Sequence, residues 1–174
     1  MKKFFITLSF LLAFTLTLAG CANQIPTKPE DSTLEFWITQ DVSDFDFSEH
    51  YEVSGWFGAR QFYGKGYLPE SINDEGIAVE PEHCVKYLVG AYPDESDGGS
   101  YIVRIDITDP TVTVYGINCG SSAAEFENAL AEHGYTLQQN DDRLQAVYGK
   151  VRITLTHNRL SIAVEVTNKK GIQY

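Results

Sequence analysis

The chain has 174 residues, 13 of them lysine or arginine and 24 aspartate or glutamate, for a net charge of −11. So acidic a chain is repelled by nucleic acid and by anionic lipid headgroups, which argues against both as partners. Its hydrophobic share of 43% is that of an ordinary globular protein, and its length suits one domain with a proper core.

Lys2 and Lys3 form a short positive region, and residues 4–19 (FFITLSFLLAFTLTLA) follow as an uncharged apolar run ending in small residues. These sixteen residues fall short of the roughly 20 that a membrane span needs, so the pattern predicts a cleaved export signal over residues 1–20. Leu18-Ala19-Gly20-Cys21 resembles the lipobox of bacterial lipoproteins. The resemblance implies that the Cys21 thiol carries a diacylglyceryl group, that cleavage falls just before it, and that the protein is held in the lipid bilayer at the extracytoplasmic face of the cell membrane. Loss of Lys2 and Lys3 would take the net charge from −11 to −13. An ordinary secretory signal with an incidental cysteine is the alternative.

Residues 22–33 (ANQIPTKPEDST) are polar and carry two prolines, so residues 21–33 read as the lipidated cysteine with a flexible tether. A single globular domain is expected over 34–174, starting at the apolar cluster LEFWI.

Next comes SGWFGARQFYGKGY, residues 54–67, with five large aromatic rings, four glycines and two cations. The rings fit no single helical stripe, and each glycine would cost about 1 kcal/mol inside a helix, so an irregular turn or bulged strand is expected. Either the rings fill the core, or Trp56, Phe57, Phe62, Tyr63 and Tyr67 join Arg60 and Lys65 in a recognition surface for an envelope protein or a cell-wall glycan.

CVKYLVGAY places Val85, Tyr87 and Val89 on one side, and YIVRIDIT places Val103, Ile105 and Ile107 against Arg104 and Asp106. With the acidic loop DESDGGS between them, the two runs predict a hairpin. A helix follows: Ser122 and Glu125 make a capping-box pattern, Phe126, Ala129, Leu130 and His133 recur on one face, and Gly134 ends it. In KVRITLTH the residues Val151, Ile153 and Leu155 share a face opposite Arg152, Thr154 and Thr156; LSIAVEV aligns Leu160, Ile162, Val164 and Val166. With only Asn158-Arg159 between them these runs predict a second hairpin.

The fold class expected is therefore α+β, an antiparallel sheet of about five to seven strands with one clear helix packed on a face. EHGYTLQ and GKGYLPE, each followed by alternating strands, also suggest two degenerate helix-plus-strands repeats. VYGINCGSSAAEFENALAEHGYTL followed by two strands resembles the repeat of the beta-lactamase-inhibitor-like and small outer-membrane lipoprotein folds. The lipobox, GARQFYGKGY, YLVGAYPDESDGGSYIVRIDITDP and the helix together resemble uncharacterised lipoproteins of Gram-positive bacteria, a likeness that implies no activity.

Outside the cytoplasm Cys84 and Cys119 are most simply a disulfide. Two unlinked buried thiols are one alternative, and a Cys119 nucleophile activated by the helix amino terminus, with His83 or His133 as base, is another. Glu80-Pro81-Glu82-His83-Cys84 gathers metal-ligand types but reads as the start of a strand, and Asp94, Glu95 and Asp97 lack the spacing of a calcium loop. No catalytic residue, metal ligand or cofactor is assigned, since no nucleophile elbow, phosphate loop or dinucleotide fingerprint occurs. The residues thus predict a lipid-anchored, non-enzymatic binding or interaction module of the cell envelope. A thiol- or carboxylate-dependent envelope enzyme, or a structural subunit of an envelope complex, is the alternative.

Overall fold

The computed structural model describes residues 24–53, 60–74, 78–91, 100–140 and 143–165. Ten strands and a helix are described in chain order: β1 Glu52–Val53, β2 Arg60–Tyr63, β3 Ser71–Ile72, β4 Ala78–Val79, β5 Val85–Gly90, β6 Tyr101–Ile107, α1 Ala123–Glu132, β7 Thr136–Asn140, β8 Arg143–Tyr148, β9 Val151–Thr156 and β10 Arg159–Val164. Eight of the strands make one antiparallel sheet in the order β1-β2-β5-β6-β10-β9-β8-β7, and β3 pairs with β4 separately. The class is α+β as expected, while the strand count exceeds the five to seven expected. The excess comes from segments too short or too polar to alternate visibly, such as Glu52–Val53 and TLQQN of β7.

Both predicted hairpins form. Leu160, Ile162 and Val164 face Leu155, Ile153 and Val151 across β10 and β9, all six buried. The turn residues are His157 and Asn158, one position earlier than expected, and Asn158 takes φ 55, a left-handed conformation that asparagine tolerates. In the β5–β6 hairpin Val85, Tyr87 and Val89 all point into the core. On β6 the expectation for Val103 fails: the register shifts so that Leu88 faces Arg104 but Val89 faces Ile102. Val103 is the extra residue of a β-bulge, and Ile102, fully buried, takes its place in the core.

Helix α1 begins as predicted. The Ser122 hydroxyl accepts from the Glu125 amide while the Glu125 carboxylate accepts from the Ser122 amide at 2.8 Å. Gly134 at φ 79 ends it, and Phe126 and Leu130 are buried against the sheet, each contributing about 2 kcal/mol by area. In the first half of the chain an irregular segment does this covering: Leu34, Phe36, Trp37 and Ile38 are all buried, and Phe36 meets Phe62 and Tyr87 edge to face at 5.7 and 5.2 Å.

The folded part starts earlier than Leu34. Residues from Gln24, read from sequence as tether, lie along the domain: Trp37 Nε1 donates to the Pro26 carbonyl at 2.8 Å, Tyr148 Oη to Gln24 Oε1 at 2.7 Å, and the Gly116 amide to the Asp31 carboxylate at 2.5 Å. Proline has no amide hydrogen to pair, and the segment is held instead by donors from the domain that reach one backbone carbonyl and two side-chain oxygens. Residues 1–23, including the signal and Cys21, lie outside the described residues. Among the described residues no helix is long and apolar enough to cross a membrane.

Candidate binding face of the sheet

One face of the sheet is closed by α1 and the Leu34–Ile38 segment; no described helix crosses the other. Strand pairing lines up the side chains of this open face. One row runs Gln61, Leu88, Arg104, Ala163, Arg152, Val147 from β2 to β8, and the next runs Tyr63, Lys86, Asp106, Ser161, Thr154, Gln145. Arg159 and Thr156 pair beyond them, and alternation along β8 brings Arg143 to the same face. Nine lysines and arginines fall among the described residues, and five of them, Lys86, Arg104, Arg143, Arg152 and Arg159, project from this one face. Asp106 is the one carboxylate at a described strand position of the face. A chain that is acidic as a whole thus carries a locally basic sheet surface.

Part of the face is hollowed. Gln61, Lys86, Leu88, Arg104, Asp106 and Arg159 line a depression of about 220 Å³. Asp106, only 8% exposed, accepts from Arg104 Nε at 3.0 Å, from an Arg104 terminal nitrogen at 2.9 Å and from the Ser161 hydroxyl at 2.6 Å. Glu80, just after β4, bridges two strands from outside the sheet: its carboxylate accepts from Lys86 Nζ at 2.5 Å and from Arg159 at 3.2 Å. Arg152 pairs with Glu165 at the margin. Three cations therefore surround two carboxylates here, and the guanidinium forks of Arg104 and Arg159 are the groups suited to bidentate contact with a carboxylate or phosphate.

The aromatic stretch is placed differently from its recognition reading. Phe62 and Tyr63 are 3% and 1% exposed. Extended β2 sends Phe62 into the core against Tyr87, ring centroids 5.3 Å apart, and Tyr63 to the other side, stacked on Tyr51 at 6.1 Å. Burial, with the Glu80 charge adding to it, pushes the Tyr63 phenol up to about 12. Tyr67 is half-buried and donates to Asp109 at 2.8 Å. These three rings serve packing, a correction to their place in a recognition surface. Arg60 and Lys65 are exposed and paired with Glu52 and Glu49, with the Arg60 guanidinium 5.0 Å from the centre of the Phe47 ring. Trp56 and Phe57 lie outside the described residues.

Cys84 and Cys119 are both free and buried, in place of the expected disulfide. Each is engaged with Thr108: the Thr108 hydroxyl lies 3.6 Å from Cys84 Sγ, and Cys119 Sγ donates to the Thr108 carbonyl at 3.3 Å. Burial pushes both thiols up, the opposite of the shift that activates a thiolate. His83 Nδ1 lies 3.3 Å from the same carbonyl, whereas His133 packs on the Tyr115 ring at 4.6 Å. Among the described residues no group of three or more histidine, cysteine, aspartate or glutamate side chains is placed to hold a metal ion. Glu80 and Cys84, on either side of His83 in the sequence, diverge toward Lys86 and Thr108.

A larger, open cavity of about 730 Å³ lies between residues 24–31 and the side chains of Tyr115, His133 and Tyr148. Tyr115 and Gly116, at φ 55 and 73, form the tight turn that presents the Tyr115 ring there.

The outward positions of Arg104 and Arg152 are readable from strand alternation. Their convergence is not, because it depends on β6 and β9 flanking β10. Compared with protein-family models, with curated proteins and with solved structures, the chain matches none of them.

Proposed function

We propose that this protein is a lipid-anchored, non-enzymatic binding module of the cell envelope, and that the open face of its sheet docks an acidic segment of an envelope protein. The observation that carries this is the gathering of five of the nine described cations on one sheet face of a chain with net charge −11. Leu88, Ala163 and Val147 alternate with Arg104 and Arg152 in the same row, and they favour a protein partner, with apolar as well as acidic side chains, over a fully hydrated anionic polymer. Anchoring at Cys21 rests on the lipobox resemblance. Residues 24–31 pack on the helix side, near Tyr115 and His133, opposite the basic face. The two four-strand halves, meeting at β6 and β10 and each covered by one preceding segment, are taken as two copies of one plan.

The test uses the mature domain and an Arg104→Glu, Arg152→Glu variant, matched for folding by circular dichroism, as baits in envelope extract and against a purified poly(glycerol phosphate). An envelope protein held by the parent, released by about 0.5 M salt and lost by the variant is the expected result. Equal capture by both baits contradicts the proposal. Retention of the polymer alone replaces the protein partner with a wall polymer.

A further inference from the structure

We infer that the depression between β2, β5, β6 and β10 is a carboxylate-binding site, and that Glu80, which pairs with its Lys86 and Arg159 from outside the sheet, is an internal stand-in for a glutamate or aspartate side chain of the partner. The inference rests on the basic face being the docking surface, and it identifies the point where a partner's acid group is gripped.

Lys86 lies at the centre of this site. Its side chain is 16% exposed, so its ammonium is largely withdrawn from water and needs a counter-charge at hand. That charge comes from Glu80, which belongs to neither β5 nor β10 and reaches over from the segment after β4. The β3–β4 ribbon before it has two residues per strand and pairs with no strand of the large sheet, so Glu80 follows a short element. Asp106, by contrast, is fixed in the centre of the sheet and held by Arg104 and Ser161. The two carboxylates thus differ in kind: Asp106 is part of the floor, and Glu80 reaches Lys86 and Arg159 from a segment outside the sheet. An incoming carboxylate meets Lys86 and Arg159 in the geometry Glu80 uses, and Arg104 keeps a further N–H edge for it. Gln61 supplies an amide and Leu88 an apolar wall for the methylenes of the entering side chain.

Competition by an internal group lowers the apparent affinity for an external one by the fraction of molecules in which the site is open. Removing the Glu80 charge therefore strengthens binding, whereas a purely structural ion pair predicts no such gain. The probe is acetyl-Glu-Leu-Glu-Leu-Glu-amide, titrated by calorimetry in about 50 mM salt into the mature domain. Glu80→Gln is expected to bind it at least ten-fold more tightly than the parent. Glu82→Gln, the same charge change two residues away on an exposed side chain, is expected to change affinity less than two-fold. Adding Arg159→Gln to Glu80→Gln should abolish the gain. Equal strengthening by Glu80→Gln and Glu82→Gln reduces the effect to net charge and overturns the site, while leaving the basic face as docking surface. Absence of binding by every form overturns the site, and equal capture by both baits in the envelope-extract experiment separately overturns the face.

Discussion

Thr108 stands between the two cysteines, one engaged with its hydroxyl and the other with its carbonyl. A cysteine pair outside the cytoplasm suggests a bond by number alone, but bonding requires a specific separation and orientation that no sequence spacing encodes. With Cys21 removed, the native domain should react slowly with a thiol reagent in the absence of reductant and release two equivalents once unfolded. Release of none would mean a disulfide. The same burial has a pH consequence. Both thiols hold their protons above the ordinary value near 9, so between that value and their own raised ones the native state binds more protons than the unfolded chain. Their contribution to stability is intact below about pH 8.5 and falls as pH rises. Tyr63, pushed up to about 12, extends the loss above pH 10. Urea midpoints at pH 7.5 and 10 should drop more in the parent than in a Cys84→Ala, Cys119→Ala variant; equal drops would remove the thiols from the explanation.

At the scale of elements, the hairpins and the helix were legible because each carries its own signal: period-2 alternation, a capping box, a left-handed asparagine or glycine. The bulge in β6 was not. YIVRIDIT alternates well with Val103 inward, and the error appears only when β5 is laid beside it. Val103 lies against Gly90, where a Cβ would come within 3.2 Å of it, so the bulged residue sits over a position with no side chain. Ile102 fills the core slot instead. Ile102→Ala should therefore cost about 3 kcal/mol and Val103→Ala less than about 1, measured by urea denaturation. The reverse order would restore the regular register. Residues 24–33 misled in a similar way. Prolines and polar residues describe a tether by composition, yet Trp37 and Tyr148 supply donors that fasten the segment to the domain. Such donors sit far along the chain and are invisible from the segment itself.

For the whole molecule, net charge argues against polyanions as partners of the chain at large and conceals a basic surface within it. Single cations on separate strands look like ordinary solvent-facing residues, and the order β5-β6-β10-β9-β8 makes them neighbours. The signal of the aromatic stretch is local, and its described rings serve packing: Phe62 in the core, Tyr63 against Tyr51 on the other side of the sheet and Tyr67 half-buried beside Asp109. The most direct test of the proposed docking face is amide chemical-shift mapping of the mature domain with the acidic peptide at low salt. Shifts should concentrate in Lys86–Leu88, Arg104–Asp106, Arg152 and Arg159, and should fade as salt rises toward about 0.5 M. Shifts confined to residues 24–31, Tyr115 and His133, or to Arg60 and Lys65, would place binding elsewhere and contradict the assignment of the open face.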